Sequence, residues 1–239
     1  MSAAATEAAR LRRARAARIA GLYAVTPDSH DTADLVARVA AAIAGGAATI
    51  QYRHKTADAA LRRAQASALR AMPQMRDALF IVNDDVALAA EVGADGVHLG
   101  EDDAALDAAR AALGERSIIG VSCYEDFARA EAMAAAGADY IAFGSFFSSS
   151  VKPAARRADP ALLERARALP VPVVAIGGIT LDNAPGLIRA GADAVAIITG
   201  VFAAADPALV QGAARALCTA ITAARADGSR TEGHDDGRP

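Results

Sequence analysis

Two acidic clusters, Asn83-Asp84-Asp85 and Glu101-Asp102-Asp103, each close a short apolar run, Phe80 to Val82 and Val97 to Leu99, with a helical segment Val86 to Val92 between. If both runs are strands of one parallel sheet, their ends lie on the same edge and the acids face one another across a small gap. Carboxylates gathered that way repel unless a cation joins them, and hard oxygen donors favour Mg²⁺. Two readings stay open on this stretch alone. One is a divalent-metal site at the top of an α/β sheet. The other is a pair of solvated loops whose aspartates cap helices, since Asp is a favoured N-cap.

Upstream, Gln51, Arg53 and Lys55 alternate, so in an extended strand they share one face. An amide, a guanidinium and an ammonium on one face suit phosphate oxygens, Arg as a fork and Lys as a point charge. The competing reading is an outer face paired to helices. Cations and paired carboxylates in one place favour a metal-bridged diphosphate over a bare metal or a monophosphate. A second anion site is suggested by Ile176-Gly177-Gly178-Ile179 and Ile198-Thr199-Gly200, whose glycines either expose backbone N–H groups to a phosphate or serve only tight turns. Between them a serine-rich loop runs from Gly144 to Lys152. Lys152 among serines fits an electrostatic role better than a Schiff base, which needs a dry pocket. No nucleophilic triad emerges. His98 reads as a satisfied core residue or a support behind the site rather than a base, His54 points away from Arg53 and Lys55, and His30 and His234 lie in flexible surroundings. Cys123 has no flanking base and is expected to line the interior.

The elements that must position these residues alternate regularly. Apolar runs at Leu22–Val25, Thr49–Tyr52, Leu79–Val82, Val97–Leu99, Ile118–Val121, Tyr140–Phe143, Val173–Ile176 and Ala194–Ile198 are each followed by an alanine-rich helical segment. Buried parallel strands wrapped by helices account for this, and eight such units predict a (β/α)₈ barrel. Gly93-Ala94-Asp95, Gly137-Ala138-Asp139 and Gly191-Ala192-Asp193 each end a helix before a strand, with glycine suited to a left-handed C-cap. That repeat is structural and belongs to the bottom face. Chemistry belongs to the loops after the strands.

Bulk properties narrow the function class. A net charge of −3 over 239 residues gives no electrostatic case for nucleic-acid binding. No apolar run reaches bilayer length, and two distant cysteines, Cys123 and Cys218, fit a reducing cytoplasm. The division expected is a basic, solvated helical extension over 1–20, a barrel over 21–226 and a disordered tail over 227–239. Partners are small molecules, with no nucleic acid and no membrane, and a homo-oligomer is left open.

Taken in order, Gln51-Tyr52-Arg53-His54-Lys55, Val82-Asn83-Asp84, Gly93-Ala94-Asp95-Gly96-Val97-His98-Leu99-Gly100 with Asp103, Gly120-Val121-Ser122-Cys123, the Phe147-to-Lys152 loop and Ala175-Ile176-Gly177-Gly178-Ile179 resemble the thiamine-phosphate synthase family. The resemblance runs from about Leu22 to Phe202. It implies a TIM barrel that joins a hydroxymethylpyrimidine diphosphate to a thiazole phosphate and releases pyrophosphate. It implies Gln51, Arg53, Lys55, Asn83 and Ser122 on the pyrimidine diphosphate, Lys152 reaching the diphosphate, and Mg²⁺ on Asp84 and Asp103. Ser149, Ser150, Val151, Gly178, Ile198 and Thr199 would hold the thiazole phosphate. Asp85, Glu101 and Asp102 then fall back to caps or support. The chain departs from the family pattern at Val151, often threonine, at Ser148, usually proline, and at Thr199, where the family has serine. The alternatives are a thiazole tautomerase-like relative, which needs neither metal nor diphosphate clamp, and a non-catalytic phosphate-binding barrel.

Overall fold

The computed structural model describes residues 3–101, 105–148 and 157–232. Eight parallel strands close into a barrel in sequence order. They are β1 (Gly21–Val25), β2 (Thr49–Tyr52), β3 (Leu79–Asn83), β4 (Gly96–Leu99), β5 (Ile118–Tyr124), β6 (Tyr140–Phe143), β7 (Val173–Ile176) and β8 (Ala194–Ile197). α1 (Ala3–Ala16) precedes the barrel. α2 (Thr32–Ala44), α3 (Ala59–Ala71), α4 (Val86–Glu91), α5 (Leu106–Leu113), α6 (Phe127–Ala135), α7 (Ala161–Ala166) and α8 (Ala184–Ala190) link successive strands, with a 3₁₀ turn at Pro73–Arg76. A short α9 (Thr199–Phe202) and a long α10 (Pro207–Glu232) follow β8. The fold is the (β/α)₈ barrel that the alternating runs predict.

Alternation along each strand divides the core into two layers. Leu22, Ala24, Ile50, Phe80, Val97 and Val121 face the helices. Tyr23, Val25, Leu79, Ile81, Ile118, Tyr140, Val174 and Ala196 fill the barrel. The helices start where aspartates allow it. Asp31, Asp58, Asp85 and Asp126 each accept a backbone N–H three residues on, opening α2, α3, α4 and α6. Asp85 is thus a cap, as expected.

The Gly-Ala-Asp repeat has a second function beyond its left-handed glycines. Asp95, Asp139 and Asp193 each donate a main-chain N–H to the carbonyl of Phe80, Ile119 and Val173, at 2.8, 2.7 and 2.8 Å. Each carboxylate then accepts the N–H of that same residue, at 2.8, 2.9 and 2.8 Å. The repeat therefore stitches the bottom ends of adjacent strands with charge-assisted bonds.

Two expectations are corrected here. α1 is not simply solvated: Arg12 Nε lies 2.7 Å from Asp139 Oδ1, Arg15 pairs with Asp95, and Ala16 and Ile19 are buried. Asp139 and Asp95 present carboxylates at the barrel bottom, and Arg12 and Arg15 of α1 join Arg110 and Arg70 in pairing with them. α10 runs through Glu232, and residues 233–239 of the tail, with His234, lie outside the described residues. Cys123 does not line the barrel. Ser122 faces inward, so Cys123 turns into the helix-facing layer beside a register shift in β5. Burial there pushes its thiol up to about 12. Cys123 is therefore expected to escape alkylation at pH 8 in the native protein and to react only after unfolding, as mass spectrometry of labelled peptides would show. Among the described residues, no helix is long and apolar enough to cross a membrane.

Candidate active site

The C-terminal mouth gathers the polar residues that the sequence places after β2 and β3. β2 ends at Tyr52, so Arg53 and Lys55 lie beyond the ladder. Their extended path is held instead by Thr26, whose hydroxyl accepts the Arg53 N–H at 2.9 Å and donates to the Arg53 carbonyl at 3.0 Å. Lys55 Nζ then reaches Asp84 Oδ2 at 2.8 Å. Asp84 adopts a left-handed backbone, φ 63°, a region that Asp tolerates better than most residues. Its N–H donates to the His98 carbonyl at 2.8 Å, which seats the turn on β4. A cleft of about 200 Å³ opens here, with Lys55, Asn83 and Asp84 among its walls.

Asp28 is the mouth residue that sequence reasoning missed. Its carboxylate lies 3.5 Å from Arg53 Nη1 and accepts the Lys55 N–H at 3.1 Å. The signal was present: the loop after β1 carries Thr26 and Asp28 two positions apart. His54 is buried beside them at the wall of the cleft, and both its ring nitrogens are engaged, one with the Ser29 carbonyl and one with the Ala57 N–H. His30 packs edge-on against it, ring centroids 5.2 Å apart, instead of lying in a loose segment.

Gln51 points inside the barrel, where its Nε2 lies 2.8 Å from the Tyr23 hydroxyl. The Tyr23 and Tyr140 hydroxyls are 2.8 Å apart. His98 Nδ1 lies 3.0 Å from Tyr140 and its Nε2 lies 2.9 Å from Ser122 Oγ. Gly120 makes room for this chain, since a Cβ there would stand 1.9 Å from Tyr140 Cζ. His98 is thus the satisfied core residue that was expected. Burial pushes its imidazole down to about 4, with the Asp84 charge opposing in part. Below the ordinary histidine value near 6.5 the unfolded chain gains a proton that the folded chain refuses, so stability present above that pH is lost as pH falls. A loss on the order of 3 kcal/mol is expected between pH 6.5 and 4. In urea titrations His98→Asn should show a correspondingly flatter pH dependence than the parent protein.

The loops after β6, β7 and β8 meet on the other side of the mouth. Gly178, φ 63°, lies so close to the β6 loop that a Cβ would stand 2.4 Å from the Ser148 carbonyl oxygen. Asn183 shapes this turn, donating to the Gly178 carbonyl at 3.1 Å and accepting the Thr180 N–H at 2.8 Å. Ile198 caps α9, and Thr199 opens it. Ser149, Ser150, Val151 and Lys152, like Asp102 and Asp103, lie outside the described residues.

Among the described residues no group of three or more His, Cys, Asp or Glu side chains converges on one point. Mg²⁺ does not require one. It keeps several waters and uses one or two carboxylates together with substrate phosphates. Asp84, partly exposed at the mouth with the Asn83 amide beside it in the cleft, fits that pattern as one protein ligand.

Residues 22–201 match the family model described as thiamine monophosphate synthase. A thiamine-phosphate synthase of Xanthomonas campestris is 56% identical over 196 residues, which span 82% of this chain and 94% of that protein. One from Azoarcus is 58% identical over 191 residues, 80% of this chain and 93% of the relative. The solved thiamine phosphate pyrophosphorylase of Pyrococcus furiosus superposes with a TM-score of 0.73 at 33% identity, covering 87% of this chain and 98% of that one. The chain belongs to the thiamine monophosphate synthase family.

Proposed function

We propose that this enzyme, a transferase, couples 4-amino-2-methyl-5-hydroxymethylpyrimidine diphosphate with a thiazole phosphate to form thiamine phosphate and pyrophosphate. The observation that carries the reading is the pairing of Lys55 with Asp84 at 2.8 Å, an ammonium and a carboxylate at one mouth, with Arg53 beside them. A diphosphate needs both kinds of group, cations for its outer oxygens and carboxylate for the metal it carries.

In this reading Gln51, Asn83 and Ser122 hold the pyrimidine, and Arg53, Lys55 and Lys152 hold the diphosphate. Asp84 and Asp103 would hold Mg²⁺, which when bound would neutralise charge on the departing pyrophosphate. The bond from the methylene carbon to the diphosphate oxygen breaks, with its electron pair leaving on pyrophosphate. The electron-rich aminopyrimidine stabilises the cation left behind, and the thiazole nitrogen attacks it with its lone pair. Arg53 and Lys55 act on the charge that develops on the leaving group, where preorganised cations have the largest effect. Ser149, Ser150, Val151, Gly178, Ile198 and Thr199 hold the second substrate's phosphate, supported by the close approach of Gly178 to Ser148. No protein nucleophile takes part. Two free cysteines favour a reducing cytoplasm as the compartment.

The test is release of pyrophosphate from the pyrimidine diphosphate, followed with and without the thiazole phosphate across a Mg²⁺ titration. Release that requires both the second substrate and the metal supports coupling. Turnover of a thiazole without metal, or binding without release, would replace the reading with a proton-transfer enzyme or a ligand sensor.

A further inference from the structure

We infer that Tyr23, Tyr140 and His98 form a one-way hydrogen-bond relay that positions Gln51 and Ser122, presenting the amide as an acceptor and the hydroxyl as a donor to the aminopyrimidine. This rests on the coupling reading above and adds positioning residues to it.

The polarity follows from the donors available. An amide nitrogen can only donate, so Gln51 Nε2, 2.8 Å from Tyr23, makes the Tyr23 oxygen an acceptor. The single proton of Tyr23 then goes to Tyr140, 2.8 Å away. Tyr140 has its own proton left for His98 Nδ1 at 3.0 Å. A neutral imidazole carries one N–H, so accepting at Nδ1 puts that proton on Nε2, which donates to Ser122 Oγ at 2.9 Å. The Ser122 proton is thereby turned away from His98. One choice at Gln51 propagates through four bonds because each member has one proton to give.

Burial keeps the relay from being relaxed by water. Tyr23, Tyr140, His98 and Gln51 are 1%, 0%, 8% and 5% exposed, so no solvent partner competes. His98 and Tyr140 also stack, with centroids 5.5 Å apart, which holds the imidazole plane. One N–H of Gln51 goes to Tyr23, which fixes its nitrogen on the inward side and turns its carbonyl oxygen towards a ligand, for which an exocyclic amine is the matching donor. Ser122 offers a proton, and a ring nitrogen or phosphate oxygen is the matching acceptor. The reversed relay would set donor against donor at the amine.

The experiment reads the ring nitrogens of His98 by ¹⁵N correlation in the ligand-free protein, then the two KM values in two variants. The expected tautomer carries its proton on Nε2. Tyr140→Phe removes the donor to Nδ1 and should mix the tautomers. It should also raise KM for the pyrimidine diphosphate about tenfold, the usual worth of one such bond, while KM for the thiazole phosphate stays unchanged. Tyr23→Phe cuts the relay on the other side of Tyr140, so the same KM should rise with the His98 tautomer intact. A proton on Nδ1 in the parent protein, or an unchanged pyrimidine KM in both variants, overturns the relay. A parent protein that fails to couple the two substrates overturns the functional reading instead, and the tautomer, read without either substrate, tells the two failures apart.

Discussion

Asp84→Asn is expected to lower the coupling rate by about 10²–10³-fold, the usual effect of removing one preorganised charge-stabilising group at a leaving-group site. The substitution keeps the size of the side chain, and Asn tolerates the left-handed backbone that Asp84 occupies at φ 63°. The fold should therefore survive. The ion pair with Lys55 is lost, but its partners are 52% and 29% exposed, and solvent-screened pairs contribute at most about 1 kcal/mol. Thermal unfolding should shift little while turnover collapses and the Mg²⁺ concentration for half-maximal rate rises. A near-normal, Mg²⁺-dependent rate in Asp84→Asn would sink the assignment of this carboxylate as a metal ligand.

Asp139→Ala should be the most damaging single change at the opposite face, costing about 3–5 kcal/mol of folding stability. The carboxylate is nearly inaccessible and binds Arg12 Nε at 2.7 Å, Arg110 Nη2 at 2.6 Å and the Ile119 N–H at 2.9 Å. Its removal leaves Arg12, 12% exposed, with Glu115 as its remaining carboxylate, and leaves Arg110, 14% exposed, with main-chain carbonyls alone. Asp95→Ala offers the internal comparison. Its two arginine partners, Arg15 and Arg70, are each 37% exposed and can turn to water, so the loss should be smaller. Urea unfolding of both variants checks this through the midpoints at unchanged slope. Equal losses at the two positions, or a loss below about 1 kcal/mol at Asp139, would refute the burial argument.

The barrel was legible because parallel strands buried on both faces must be continuous apolar runs, and eight of them stand between helical segments. Strand ends fell within a few residues of the runs, with β5 extending to Tyr124 past Val121. The mouth was legible in part, since loops after parallel strands converge whatever their sequence, which brought Lys55 to Asp84. Asp28 was passed over because a lone carboxylate after a Thr-Pro turn carries no pattern until Arg53 is placed beside it. Cys123 went wrong because inward or outward facing depends on a register shift that no residue type announces.

By itself the sequence determined the strand–helix alternation, the face on which chemistry must sit and the residue types available to hold a diphosphate, because these depend on local periodicity and side-chain chemistry. Tertiary structure alone decided which of those groups touch. Gln51, Tyr23, Tyr140, His98 and Ser122 come from five strands spread over 118 residues, and only barrel closure aligns their protons into one chain. The basic N-terminal helix found its partners in the same way. Arg12 and Asp139 are 127 positions apart, and the attraction between them has no effect until the folded bottom face removes both from water.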